Sequence, residues 1–79
     1  MERADVESGF WPLFGRVLGR PVAPGRYAQA DLAEWDSLRH VELMFELEER
    51  FRIEIPADAI ADLFSDTDTL IDFLARRAR

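Results

Sequence analysis

The segment from Ser37 to about Arg52 constrains the fold most, because it joins an N-capping sequence to residues that favour helix throughout. Asp36 or Ser37 is the expected N-cap of this helix. At 100° per residue, one arc of it carries the large apolar side chains of Leu43, Met44, Leu47 and Phe51. The other elements of the chain therefore have to cover this arc and form a core with it.

The same helix has a second apolar arc, roughly opposite the first, which we call the apolar stripe. It consists of Leu38, Val41 and Phe45 and is flanked by Glu42, Glu48 and Glu49. A second apolar surface on one helix is either buried by another element or left exposed for a partner. The residues alone leave both options open.

The N-terminal part of the chain predicts an amphipathic helix that ends near Gly19. Its apolar residues recur at helical spacing: Val6, Phe10, Leu13, Phe14, Val17 and Leu18. A proline inside a helix removes a hydrogen bond and clashes with the preceding turn, so we expect a break or kink between Gly9 and Pro12. Residues 19–30 contain two prolines and two glycines and predict a surface loop. Contacts with the core are expected from Val22, Tyr27, Leu32 and Trp35.

The C-terminal part predicts a connector followed by two helices. Residues 51–56 would be extended, with Ile53 and Ile55 inserted into the core, and residues 57–64 would form one or two helical turns. The inward residues of these turns would be Ile60, Leu63 and Phe64. A capping box over residues 65–68 would then start a final amphipathic helix. This helix would end in Arg76, Arg77 and Arg79.

Together these elements predict an all-α fold, a small four-helix bundle with three main helices and one short helix. A chain of 79 residues forms one domain, here residues 1–79, with one modest core. It contains no cysteine and one histidine, which excludes disulfides, thiol nucleophiles and a recognisable metal-ligand pattern. No apolar run approaches the roughly 18 residues of a membrane span, and no signal-peptide pattern is present. We therefore expect a cytoplasmic protein that does not enter membranes.

Negative charge is concentrated in the middle of the chain. Residues 31–72 hold thirteen acidic residues and three arginines, a net charge of −10 within a total of −6. Such a field repels nucleic acid and anionic lipid and attracts basic protein surfaces. The partners indicated are proteins with docking sites rich in Arg or Lys.

Ser37 allows three interpretations from its local sequence. It can be an ordinary N-cap, whose hydroxyl accepts a backbone N–H. It can belong to a hydrolytic constellation with Asp36 and His40, although adjacent Asp and Ser fit such a triad poorly and no G-x-S-x-G motif is present. It can also carry a phosphodiester, whose charge the helix dipole tolerates. His40 itself is expected at the helix surface or core edge, against the first helix or a loop.

The run EWDSLRHVELMFELEERFRIEIP, residues 34–56, resembles the central segment of acyl carrier proteins. The resemblance rests on D-S-L, on V-E-L four residues after the serine, on L-E-E-x-F at the helix end and on the I-x-I-P connector. With the short helix and the final IDFL helix, it covers residues 31–75. It implies the acyl-carrier type of helical bundle.

The resemblance also implies a function for Ser37. This serine would carry 4′-phosphopantetheine, attached from coenzyme A by a phosphopantetheinyl transferase that recognises Asp36. The arm's thiol would hold acyl groups as thioesters for acyl-loading and acyl-processing enzymes with basic docking surfaces, so the chain would be a monomeric carrier and not an enzyme. The apolar stripe with Glu42, Glu48 and Glu49 matches the helix that such enzymes contact, which favours the exposed option.

Two features of the resemblance indicate a specialised pathway, polyketide-like or otherwise part of secondary metabolism. Arg39 and His40 follow the serine motif where fatty-acid carriers commonly place an acidic residue, and Trp35 is similar to free-standing carriers of specialised biosynthesis. An aminoacyl or peptidyl load stays open, as does an unmodified protein-interaction module. If the five residues Phe10, Phe14, Phe51, Phe64 and Phe73 converge, we expect long acyl chains to be poorly sheltered.

Overall fold

The computed structural model describes residues 1–78, and these form four helices without a strand. The helices are α1 (Arg3–Leu18), α2 (Ser37–Phe51), α3 (Ala57–Ile60) and α4 (Thr67–Arg77), with short 3₁₀ turns at Gln29–Asp31 and Asp62–Phe64. The predicted all-α bundle of three main helices and one short helix is confirmed. The expected place of Arg79 at the end of the last helix lies outside the described residues.

The core lies between α2, α1 and α4, and α1 packs against both of the others. The predicted core arc of α2 is buried, and so is the facing side of α1, including Val6, Phe10 and Phe14. Trp11, which the periodicity of α1 did not single out, is also buried and lies edge-on to Phe10 at 4.9 Å between ring centroids. Among residues 1–78, no helix is long and apolar enough to cross a membrane.

The expected break in the first helix does not occur, because α1 continues through Pro12. Pro12 lies on the exposed side of α1, and so does Ser8, whose carbonyl would have accepted the missing hydrogen bond. Water can satisfy that carbonyl, and the buried side of the same helix gains enough apolar contact to offset the cost of the proline. The helix ends at Gly19, which adopts the left-handed conformation with a φ of 85°.

The segment between α1 and α2 is held against the N-terminal end of α4. The backbone N–H of Tyr27 donates to Thr67 Oγ1 at 3.0 Å, and the N–H of Thr67 donates back to the carbonyl of Tyr27 at 2.8 Å. Val22, Leu32 and Trp35 are buried, as expected. The loop therefore reaches α2 along a defined path.

The C-terminal elements agree with the sequence except at the start of the connector and at one cap. Phe51 is the last residue of α2 and Arg52 is its left-handed C-cap, so neither belongs to the extended connector. Ile53, Ile60 and Phe64 face the core but are only partly buried. Ile55 and Leu63 are buried.

The predicted capping box with Ser65 as the cap is wrong: Asp66 caps α4 by accepting the N–H of Thr69 at 2.7 Å. Ser65 Oγ instead donates to the carbonyl of Asp62 at 3.1 Å. Asp66 has the extended backbone that an N-cap requires, whereas Ser65 is helical because it follows directly on the 3₁₀ turn.

The five phenylalanines considered in the sequence do not converge on one point. Phe10 stacks on Phe14 at 5.1 Å, and Trp35 extends this row by packing edge-on to Phe14 at 5.2 Å and to Phe64 at 5.7 Å. The rings of Phe51 and Phe73 lie instead under the guanidinium groups of neighbouring arginines, Arg50 and Arg77. A row of aromatic rings thus links α1 to the turn after α3 through Trp35.

Candidate functional site

Ser37 is the first residue of α2, and its side chain is exposed. The N-cap is Asp36, whose backbone is extended and whose Oδ1 accepts the N–H of Arg39 at 2.8 Å. Ser37 Oγ forms no hydrogen bond within the described part of the chain. Because Asp36 takes the capping role, the hydroxyl of Ser37 stays accessible at the positive end of the helix dipole.

The charges beside Ser37 are paired loosely at the surface. The guanidinium of Arg39 lies 3.6 Å from Asp36 Oδ2, and both side chains are about half exposed. A pair of this kind contributes little to stability, and either group can turn toward another charge. The acidic surface of α2 thus begins with one cation next to the serine, as the sequence indicated.

His40 does not form a hydrolytic constellation with Ser37. It is buried, with 2% of its surface exposed, and both ring nitrogens have partners. Trp35 Nε1–H donates to Nδ1 at 3.1 Å, and Nε2–H donates to the carbonyl of Ile60 at 2.8 Å. Burial lowers the pKa of His40, which keeps the imidazole neutral in this tautomer. No free lone pair is left to accept a proton from Ser37.

The position of His40 corrects the expectation from sequence. It lies inside the core and not at its edge, and it contacts the loop before α2 and the turn after α3, where Phe64 stacks on its ring at 4.5 Å. The helical spacing of α2 places His40 next to the core arc, three residues before Leu43. It could not show the two distant groups, on Trp35 and Ile60, that satisfy the ring there.

The apolar stripe is exposed. The exposed fractions are 70% for Leu38, 40% for Val41 and 66% for Phe45, and Met1 is the only other exposed large hydrophobic residue among residues 1–78. Because the stripe residues stand three and four positions apart, they form one continuous surface along about 10 Å of α2. This surface starts at the residue directly after Ser37. The exposed option is therefore confirmed, while a docking role stays a prediction.

The acidic residues along the stripe are not equivalent. Glu42 and Glu49 are exposed. Glu48 is half-buried, and its Oε2 accepts the backbone N–H of Ile55 at 2.8 Å, which holds the connector against α2. Of the three predicted border residues, Glu48 is thus partly occupied by a structural bond. Glu42 and Glu49 are the ones left free to meet a cationic partner.

A groove of about 420 Å³ between α1 and α2 adjoins the stripe. Three of the residues that line it, Arg16, Val17 and Glu46, were not predicted as site residues. Arg16 reaches across to Glu46 at 3.3 Å. The packing of α1 against α2 brings Arg16 and Val17 beside Phe45, so the pattern within α2 could not reveal them. Glu46 follows Phe45 on α2 itself.

Comparisons with known proteins add nothing to this geometry, since no family model, no curated protein and no solved structure matches the chain. Within residues 1–78, no group of three or more acidic or histidine side chains could hold a metal ion. The fold and the site therefore define the class of protein only as a small helical bundle. Its exposed serine opens a helix with an apolar, acid-bordered surface.

Proposed function

We propose that this protein is an acyl carrier protein of a specialised pathway, with a 4′-phosphopantetheine arm attached to Ser37. The observation that carries the proposal is the exposed Ser37 hydroxyl at the start of α2, free of a capping bond and directly followed by the apolar stripe. A serine used as a helix cap would have to give up that bond before modification. Ser37 does not.

The residues around Ser37 fit a phosphodiester. The N-terminal end of α2 favours a negative charge, because the helix dipole and the unpaired N–H groups of the first turn face it. The guanidinium of Arg39 is close by and only loosely paired with Asp36. Bound at Ser37, the arm would supply a thiol that holds acyl groups as thioesters.

The attachment reaction uses the Ser37 hydroxyl as the nucleophile. Its oxygen bonds to the phosphorus next to the pantetheine of coenzyme A, the pyrophosphate bond breaks, and adenosine 3′,5′-bisphosphate leaves while the hydroxyl proton passes to a base. Both nitrogens of His40 are occupied, so His40 is not that base, and we assign the base to the transferase. This protein contributes the exposed hydroxyl, the helix terminus and the docking surface.

The docking surface favours basic partners. Leu38, Val41 and Phe45 offer exposed apolar area, and Glu42 and Glu49 offer exposed charges that form no ion pair within residues 1–78. Apolar anchors inside a charged border are typical of protein interfaces, where the charges raise the association rate. The phosphopantetheinyl transferase and the acyl-loading and acyl-processing enzymes would bind here. The carrier would act as a monomer in the cytoplasm.

Intact-mass spectrometry tests the proposal. Incubation with a promiscuous phosphopantetheinyl transferase and coenzyme A should add one phosphopantetheine to the wild-type protein and none to Ser37→Ala. Ser65→Ala is the matched control, since Ser65 is also exposed and lies just before a helix; this variant should gain the full mass. An unmodified wild-type protein, or an adduct on Ser37→Ala, would overturn the proposal.

The exposed stripe also supports a second candidate function, an interaction module in which Ser37 stays unmodified. That module would bind its partners equally well as Ser37→Ala, and the protein isolated from its own cells would carry no thiol-bearing adduct. The cargo is a separate question. The mass of the acyl group on the native protein would distinguish a polyketide-like load from an aminoacyl or peptidyl one.

A further inference from the structure

Trp35 and His40 form a buried hydrogen-bond chain that the proposed function has not used. Its two bonds run from Trp35 Nε1–H to His40 Nδ1 and from His40 Nε2–H to the carbonyl of Ile60. The chain joins three elements: the loop before α2, the first turn of α2, and the end of α3. Trp35 and His40 are both inside the core.

The first bond closes a loop around Ser37. Trp35 stands two residues before the serine and His40 three residues after it, and their side chains meet beneath residues 36–39, of which Asp36, Ser37 and Leu38 are exposed. Within that loop, the carboxylate of Asp36 accepts the N–H of Arg39. The backbone that carries the Ser37 hydroxyl is therefore held on both sides by buried groups.

Trp35 is itself held at three points. Its backbone N–H donates to the carbonyl of Leu32 at 3.0 Å, and its own carbonyl accepts Gln29 Nε2 at 3.0 Å. The indole packs edge-on to Phe14 and to Phe64. Because the backbone, the ring and the Nε1–H of Trp35 all have partners, a shift at residue 35 would require several contacts to break together.

The second bond gives α3 its attachment to this region. α3 has only four residues, too few to be stable without tertiary contacts. Its last residue, Ile60, uses its carbonyl to accept the proton of His40 Nε2, and Phe64 in the following turn stacks on the His40 ring. His40 thus transmits the position of α3 to the start of α2.

We infer that Trp35 and His40 are positioning residues for the modification of Ser37, holding its hydroxyl in the orientation that the transferase requires. This inference rests on the proposed function, since it needs Ser37 to be modified. Neither residue belongs to the docking surface, because both are buried while Leu38 and Val41 are exposed. Loss of this buried hydrogen-bond chain should therefore slow the transfer reaction and leave the binding of the carrier to the transferase unchanged.

Steady-state kinetics with a promiscuous transferase and coenzyme A separate these effects. His40→Leu removes both bonds, and we expect kcat to fall by about tenfold or more with KM for the carrier nearly unchanged, because small misplacements of a reacting atom are costly. His40→Gln keeps an N–H for the carbonyl of Ile60 and an acceptor for Trp35, so it should recover most of the lost rate. Trp35→Phe removes the indole donor and part of the buried ring but keeps the bond from His40 to Ile60, so its kcat should lie between those of His40→Leu and His40→Gln.

Two measurements keep the test decisive. Ile71→Ala is the control for lost stability, because Ile71 is a buried residue of α4 without a bond to the chain; its kcat should match wild type at a temperature where every variant is folded by circular dichroism. Hydrogen exchange of residues 36–40 and 60–64 should be faster in His40→Leu than in Ile71→Ala. Equal kcat or equal exchange in these two variants would overturn the inference. If the wild-type protein is not modified at all, the proposed function fails instead.

Discussion

Replacing Leu38 with alanine tests whether the apolar stripe docks the enzyme that modifies Ser37. Complete burial of a leucine side chain is favourable by about 1.5–3 kcal/mol, and Leu38 still has 70% of its surface in water. Docking can therefore gain roughly 1–2 kcal/mol from it, and truncation to alanine should cost about 1 kcal/mol because the β-carbon remains. We expect kcat/KM for phosphopantetheine transfer to fall by about fivefold.

Leu43→Ala is the matched control, because it removes the same atoms from the opposite face of α2, where the side chain is fully buried. It should lower the free energy of unfolding by about 2–5 kcal/mol and leave kcat/KM close to wild type while the variant is folded. Leu38→Ala should do the reverse, with stability changed by less than about 0.5 kcal/mol in urea denaturation. An unchanged kcat/KM in Leu38→Ala would refute the docking argument.

Arg52 has a left-handed backbone with a φ of 55°, so Arg52→Gly should raise the free energy of unfolding in urea by about 1 kcal/mol; a loss would contradict this account. Burial lowers the pKa of His40, so just below about pH 6.5 the unfolded chain binds more protons than the folded one. The free energy of unfolding should therefore decrease as the pH is lowered, by at most about 1.4 kcal/mol per pH unit, and His40→Gln should lack this contribution.

The two faces of α2 could be predicted because both follow from helical spacing within one continuous segment. Leu43 and Leu47 lie in one arc and Leu38 and Phe45 in the other, and the structure buries the first pair and exposes the second. The sequence could not decide whether another element covers the second pair. That depends on where α1 and α4 pack, which is a property of the whole chain.

The errors came from places where local rules compete with tertiary contacts. Pro12 was expected to break or kink its helix. The break does not occur, because the missing hydrogen bond falls on the solvent side, where water can satisfy the free carbonyl. Ser65 was expected to cap the last helix. Its backbone is helical because it follows directly on the 3₁₀ turn, so Asp66 is the cap. His40 was expected at the helix surface or core edge; the sequence could not show its burial because its partners, Trp35 and Ile60, lie on other elements.

Whether the Ser37 hydroxyl is free for modification depends on which of two neighbouring residues, Asp36 or Ser37, is the N-cap of α2. Asp36 and Ser37 are both good N-caps, and a helix that began one residue later would place the Ser37 hydroxyl in a bond to its own backbone. The buried side chains on either side oppose that shift: Trp35 packs in the core, and its indole meets a histidine whose position depends on the helical phase of α2. A helix that started one residue later would leave His40 in place but change the backbone of Ser37 and shift Trp35 relative to His40, so the buried Trp35 Nε1–H would lose its acceptor. Packing inside the protein thus assigns the cap to Asp36 and leaves the serine hydroxyl free on the surface.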